Sequence, residues 1–125
     1  MIYLDTSVAL AQLLAEDRLP PEALWQEPLI RSRLIEYEIW TRIHARELAR
    51  SHSDEVRTLL GQIALVELSL PVLARALEPF SKPVRTLDAL HLASMNFIQK
   101  QGQSITLASY DDRQISAARA LRFSI

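Results

Sequence analysis

Asp5, Glu38, Asp88 and Asp111 are four acids in four separate stretches of the chain, each where a strand or helix would present it to a common rim. Asp5 ends an apolar run, Ile2-Tyr3-Leu4, and Asp111 follows a second, Ile105-Thr106-Leu107. Asp88 opens an apolar helical pattern through Ala93, and Glu38 lies inside another. Like charges brought together destabilise a small domain unless a cation neutralises them, and hard divalent cations take oxygen ligands of this kind. Such an ion lowers the pKa of water enough to make a nucleophile, and two ions roughly 4 Å apart can clamp the attacking and leaving oxygens of a phosphodiester. Zinc fits poorly, because cysteine is absent and His44, His52 and His91 show no ligand spacing. Taken singly, Asp88 and Asp111 suit a helix's first turn, where the macrodipole favours an acid, and Glu38 suits an i,i+4 pair with Arg42. Asp5 resists such an account, because an acid ending an otherwise buried strand is costly unless paired.

The elements that must position these acids alternate in type. Apolar runs predict strands over residues 2–5, 28–31, 64–68 and 104–107. Between them the spacing predicts a helix over Val8–Leu14, a short one over Glu22–Trp25 and a long one from Arg33 to Arg50. Further helices are expected from Ser53 or Asp54 to Ile63, from Pro71 to Phe80, from Leu87 to Lys100 and from Asp111 to Leu121. A hydroxyl of Thr6 or Ser7, then Ser32 and Thr86, are the expected caps, with Gly102 closing a helix. The long helix carries Leu34, Tyr37, Trp40, Ile43 and Leu48 at helical spacing, and the polar run Ser51-His52-Ser53-Asp54 is expected to end it. Phe123-Ser124-Ile125 suits a short final strand. Strands alternating with helices imply a parallel sheet covered on both faces, which binds ligands beyond the carboxyl ends of its strands.

A chain of 125 residues, 49% apolar, fits one domain over residues 1–125 with a core of its own. The net charge of −1 gives no global basic field to announce nucleic acid or an anionic membrane. Absence of cysteine suits a reducing cytosol, and no apolar run approaches the roughly 18 residues of a membrane span. The expectation is a cytoplasmic protein with no membrane partner. Of the basic residues only Lys82 and Lys100 are lysine; the rest are arginine, whose planar fork grips phosphate or carboxylate bidentately. Arg42, Arg46 and Arg50 follow Glu38 at intervals of four and could track a phosphate backbone, though a solvated face with i,i+4 pairs suits them slightly better. Arg85 and Arg113, each beside an acidic motif, suit phosphate contacts or charge balance. His91, three residues after Asp88, suits a packed, hydrogen-bonded histidine better than a general acid.

At these residues the chain resembles a PIN-domain ribonuclease, and within that group the VapC-type toxins of type II toxin–antitoxin pairs. Ile2-Tyr3-Leu4-Asp5-Thr6-Ser7 is similar to the opening motif, and Ser32-Arg33-Leu34 through Tyr37-Glu38-Ile39 to the second. Arg85 through Ala93 is the strongest match and places the third acid at Asp88. Ser109-Tyr110-Asp111-Asp112-Arg113 resembles the fourth motif, with serine for the usual threonine. The motif spacing favours Glu38 over Glu36 and Asp111 over Asp112. Leu121-Arg122-Phe123 departs from a leucine-glycine pair common in the family.

The resemblance implies a PIN-like three-layer α/β/α sandwich with a central, mostly parallel sheet of four to five short strands. It implies Mg²⁺- or Mn²⁺-dependent hydrolysis of RNA, leaving a 5′-phosphate and a 3′-hydroxyl, with Asp5, Glu38, Asp88 and Asp111 as metal ligands. Thr6, Ser7, Ser109 and Asp112 would orient them. It further implies a cognate antitoxin and a homodimer or hetero-oligomer, with Trp25, Tyr37 and Trp40 as candidates for an apolar partner groove. Two rivals share parts of this pattern. A catalytically silent PIN-like module binding RNA or protein would have the same fold, although none of its acids would need to be kept. A phosphorelay receiver domain would need a phospho-accepting aspartate ending a middle strand and a lysine after a late one. Asp54, Lys82 and Lys100 do not stand there.

Overall fold

The computed structural model describes residues 1–125. Strand β1 (Ile2–Leu4) runs into Asp5, whose carboxylate accepts the Ser7 amide and so caps helix α1 (Thr6–Leu13). The expected hydroxyl cap is therefore the acid itself. Ala15, with φ of 49°, ends that helix, and Pro20-Pro21 lead into a 3-10 turn at Glu22–Gln26. Strand β2 (Leu29–Ser32) follows, and the Ser32 hydroxyl accepts the Leu34 amide at 3.2 Å where helix α2 (Leu34–Ala45) begins.

Helix α2 is shorter than the expected span to Arg50. Ile35, Ile39 and Ile43 are fully buried, each contributing about 1.5–3 kcal/mol, and their stripe sets the inward face. Tyr37 is consequently 67% exposed, not part of the core, while Trp40 packs at its edge. The chain turns through Glu47 in a left-handed conformation (φ 54°), and helix α3 (Ala49–Gly61) takes over. Ser51 and Ser53 lie within α3, where their hydroxyls donate to the carbonyls of Leu48 and Ala49 one turn back. The polar run expected to end a helix thus sits inside one, held by Val56 and Leu59 on the buried side.

Strand β3 (Ile63–Val66) leads to helix α4 (Leu70–Ala76), with Pro71 in its first turn. Helix α4 stops well before the expected Phe80, and Pro79 lies beyond its end. Helix α5 (Thr86–Lys100) ends at Gly102, whose φ of 88° favours glycine. Strand β4 (Thr106–Ala108) and helix α6 (Asp112–Ala120) complete the chain, and Ser124 adds a single parallel bridge to Thr106.

The four strands form a parallel sheet in the order β3-β2-β1-β4. Alternation along β1 sends Leu4 into a core shared with α1, α2 and α3, and Tyr3 into a second core with α5 and α6. Helices on both faces make this the expected three-layer sandwich. Because β1 is flanked by β2 and β4, the carboxyl ends of all three strands meet at one edge.

Candidate active site

Asp5, immediately after the central strand, is 7% exposed. Its Oδ2 accepts the Ser109 hydroxyl at 3.1 Å and both the amide and hydroxyl of Ser7. Ser7 Oγ in turn accepts the Tyr110 amide at 2.9 Å, so the two serines tie the end of β1 to the loop after β4. The other oxygen, Oδ1, faces the guanidinium of Arg31 on β2, with Nη2 at 3.2 Å.

Glu38 reaches the same point from α2. Its Oε1 accepts the Thr6 hydroxyl at 3.1 Å and lies 3.0 Å from His91 Nε2 and 3.5 Å from Arg31 Nη2. Burial pushes the Asp5 carboxyl up, but Arg31, Ser7 and Ser109 outweigh it and hold the group below its usual range. Burial likewise opposes the Glu38 carboxylate, and His91, Arg31 and Thr6 together bring it below its usual range. His91 is driven down by burial and then by Arg31, which keeps the ring neutral. Its Nε2 lies 2.9 Å from Arg31 Nη2 as well as 3.0 Å from Glu38, so one proton position cannot serve both.

Asp88, in the first turn of α5, and Asp111, the cap of α6, complete the rim. Asp111 Oδ1 accepts the Arg113 amide at 3.0 Å. All four acids line one cavity of about 1040 Å³, together with Thr6, Ser7, Arg31, Arg42, Arg85 and Arg113.

Several candidates, whether expected or already set aside by motif spacing, lie elsewhere. Glu36 pairs with Arg33 at 2.7 Å and leaves the cavity to Glu38. Asp112 does not line the cavity; it faces a smaller depression beside Lys82. Arg46 ends α2 and Arg50 lies in α3, so the row begun by Arg42 breaks at the Glu47 turn and only Arg42 reaches the site. Tyr37 stands at the cavity wall, whereas Trp25 and Trp40 pack on the core, so the three aromatics form no common groove.

The sequence profile of the PIN domain matches residues 2–120. The chain belongs to the PIN-domain family. It is 28% identical over 130 residues to Ribonuclease VapC47 of Mycobacterium tuberculosis (strain CDC 1551 / Oshkosh), an alignment covering 98% of this chain and 93% of the relative. No solved structure matches the chain at a significant level.

In this PIN domain the unheralded residue is Arg31. The sequence offered only an arginine at the end of an apolar strand, two residues after Leu29 and so on its face. Folded, it is 1% exposed, and a single nitrogen, Nη2, lies within 3.5 Å of Asp5, Thr6, Glu38 and His91. Its Nε and Nη1 are buried without partners.

The donor set suits a hard divalent cation, since carboxylate and hydroxyl oxygens predominate and no thiolate exists. As arranged, no three acids or histidines close on one point, and Arg31 occupies the approach between Asp5 and Glu38.

Proposed function

We propose that this PIN domain is a metal-dependent endoribonuclease and the toxin of a toxin–antitoxin pair. The observation that carries the reading is the convergence of Asp5, Glu38, Asp88 and Asp111 on one cavity at the carboxyl edge of the sheet. Residues up to 106 positions apart reach that edge, and a cation is the ready means of relieving their repulsion. Asp5, Glu38, Asp88 and Asp111 would hold Mg²⁺ or Mn²⁺. When bound, the ion supplies a Lewis acid for the phosphoryl group and an activated water at neutral pH.

The chain's own residues do the rest. Ser7 and Ser109 hold the Asp5 carboxylate in one orientation, and Thr6 and His91 hold Glu38. Arg42, Arg85 and Arg113 line the same cavity and suit the phosphates on either side of the scissile bond. An antitoxin is the expected protein partner, and the exposed Leu70 and Leu73 of α4, with Leu77 just past its end, offer it or a second copy an apolar face. No helix is long and apolar enough to cross a membrane.

The test is cleavage of folded RNA by purified protein with Mg²⁺, with Mn²⁺ and with chelator. Activity is expected only with metal, and Asp5→Ala and Asp88→Ala proteins that keep their circular dichroism spectrum should be inactive. Cleavage retained by both variants rejects the assignment.

A further inference from the structure

We propose that Arg31 is an internal counter-cation that competes with the divalent ion for Asp5 and Glu38, so that residue 31 sets the metal affinity of the site. The inference rests on the metal-dependent reading above and concerns how that site is held before metal arrives.

Three features of the structure carry it. First, Arg31 Nη2 bridges the two carboxylates, at 3.2 Å from Asp5 Oδ1 and 3.5 Å from Glu38 Oε1. A hard cation coordinating those two oxygens at about 2.0–2.6 Å would compete with the guanidinium for them. Second, the guanidinium is wholly buried, yet its Nε and Nη1 have no acceptor. It is therefore retained through the hydrogen bonds of one nitrogen, the attraction of two acids and the face of the Tyr3 ring, 5.2 Å from its central carbon. A guanidinium locked by several bidentate bonds would be harder to dislodge. Third, Asp88 and Asp111 line the same cavity but make no ion pair or hydrogen bond with Arg31. An ion can thus approach from the Asp88–Asp111 side and displace the guanidinium from Asp5 and Glu38.

Removing that charge has two consequences of opposite sign. Without metal, Asp5 and Glu38 face each other uncompensated, and the fold is weakened. With metal, the ion no longer competes, and it binds more tightly. An arginine that merely packs the strand end would give the first effect without the second.

The test is Mn²⁺ binding, followed by calorimetry and by the electron paramagnetic resonance of free Mn²⁺, in wild-type and Arg31→Met proteins. Methionine keeps much of the buried volume without charge. The expected result is at least tenfold tighter binding in Arg31→Met, together with a larger rise in melting temperature on adding Mn²⁺. The double variant Arg31→Met/Glu38→Gln should lose that gain. Equal or weaker binding in Arg31→Met, with wild type binding normally, overturns the counter-cation while leaving the metal site standing. Absence of binding to either protein overturns both.

A second measurement needs no variant to fold. The side-chain Nε–Hε resonance of Arg31 in ¹⁵N-labelled wild-type protein should shift as Mg²⁺ is titrated. A resonance unmoved at saturating Mg²⁺ overturns the proposal.

Discussion

Tyr3 Oη lies 3.0 Å from His91 Nδ1, which joins the central strand to helix α5 beneath the floor of the acidic cavity. Tyr3 Oη also accepts the Ser32 amide at 3.2 Å, so one phenol links β1, β2 and α5. Burial raises the Tyr3 pKa to about 12, and the group stays neutral through any working pH. His91 then faces Glu38 with its other nitrogen. A residue in the second core thereby orients a carboxylate of the site.

Tyr3→Phe removes that junction with little change in volume. It leaves the Ser32 amide and His91 Nδ1 buried without their partner, which should cost about 1–3 kcal/mol. The check is urea denaturation, where the midpoint should fall with an unchanged m-value.

Acid should weaken the metal-free protein in two stages. The folded pKa of His91 lies below its ordinary 6.5, so below that pH the unfolded chain binds a proton that the folded ring resists. Stability therefore begins to fall as pH drops past 6.5. Asp5 and Glu38, held below their ordinary 3.8 and 4.5, add a second loss of the same sign as pH falls through those values. Denaturation midpoints in excess chelator between pH 7.5 and pH 3.5, taken in roughly half-unit steps, test this. A level profile down to about pH 5 would contradict the buried neutral histidine.

Asp88 and Asp111 should separate in how they affect stability. Asp111 caps α6 through the Arg113 amide, whereas Asp88 has no capping bond. Asp111→Ala should lose both activity and about 0.5–2 kcal/mol of stability, and Asp111→Asn should recover most of the latter. Asp88→Ala should abolish cleavage with a near-normal melting temperature. Paired melting curves and cleavage assays distinguish the two.

Arginines should divide by position, not by charge alone. Arg42, Arg85 and Arg113 line the cavity and Arg46 does not. Replacing any of the first three with alanine should weaken RNA binding and reduce the slope of log affinity against log salt by about 0.7 each. Arg46→Ala should leave that slope unchanged. Fluorescence anisotropy of a labelled RNA over a salt series, with catalysis blocked by Asp88→Ala, provides the measurement.

Much of the architecture was legible because its signals are local. Short apolar runs gave the four strands, and Pro71 and Gly102 marked helix limits as expected. The acids were legible because each lies at the end of a strand or near the start of a helix, where the topology gathers them. The boundary between α2 and α3 was not, because it depends on Glu47 adopting a left-handed turn, and glutamate carries no preference for one. The misplaced boundary in turn made a continuous arginine row of residues on two helices. Spacing allows Tyr37 either a core position or a partner groove, and the isoleucine stripe four residues apart, which buries more area, leaves it outward. Arg31 was missed for a different reason. Its role exists only once Asp5, Glu38 and His91, up to 60 residues away, have been brought to it.

The pairing of β1 with β4 also governs when the cavity can exist during synthesis. Leu4 hydrogen-bonds into a register with Ala108, so the first strand to leave the ribosome waits for almost the last. Until then Asp5 has neither Ser109 beside it nor Asp111 across from it. A nascent chain stalled before residue 106 should therefore be unable to cut RNA.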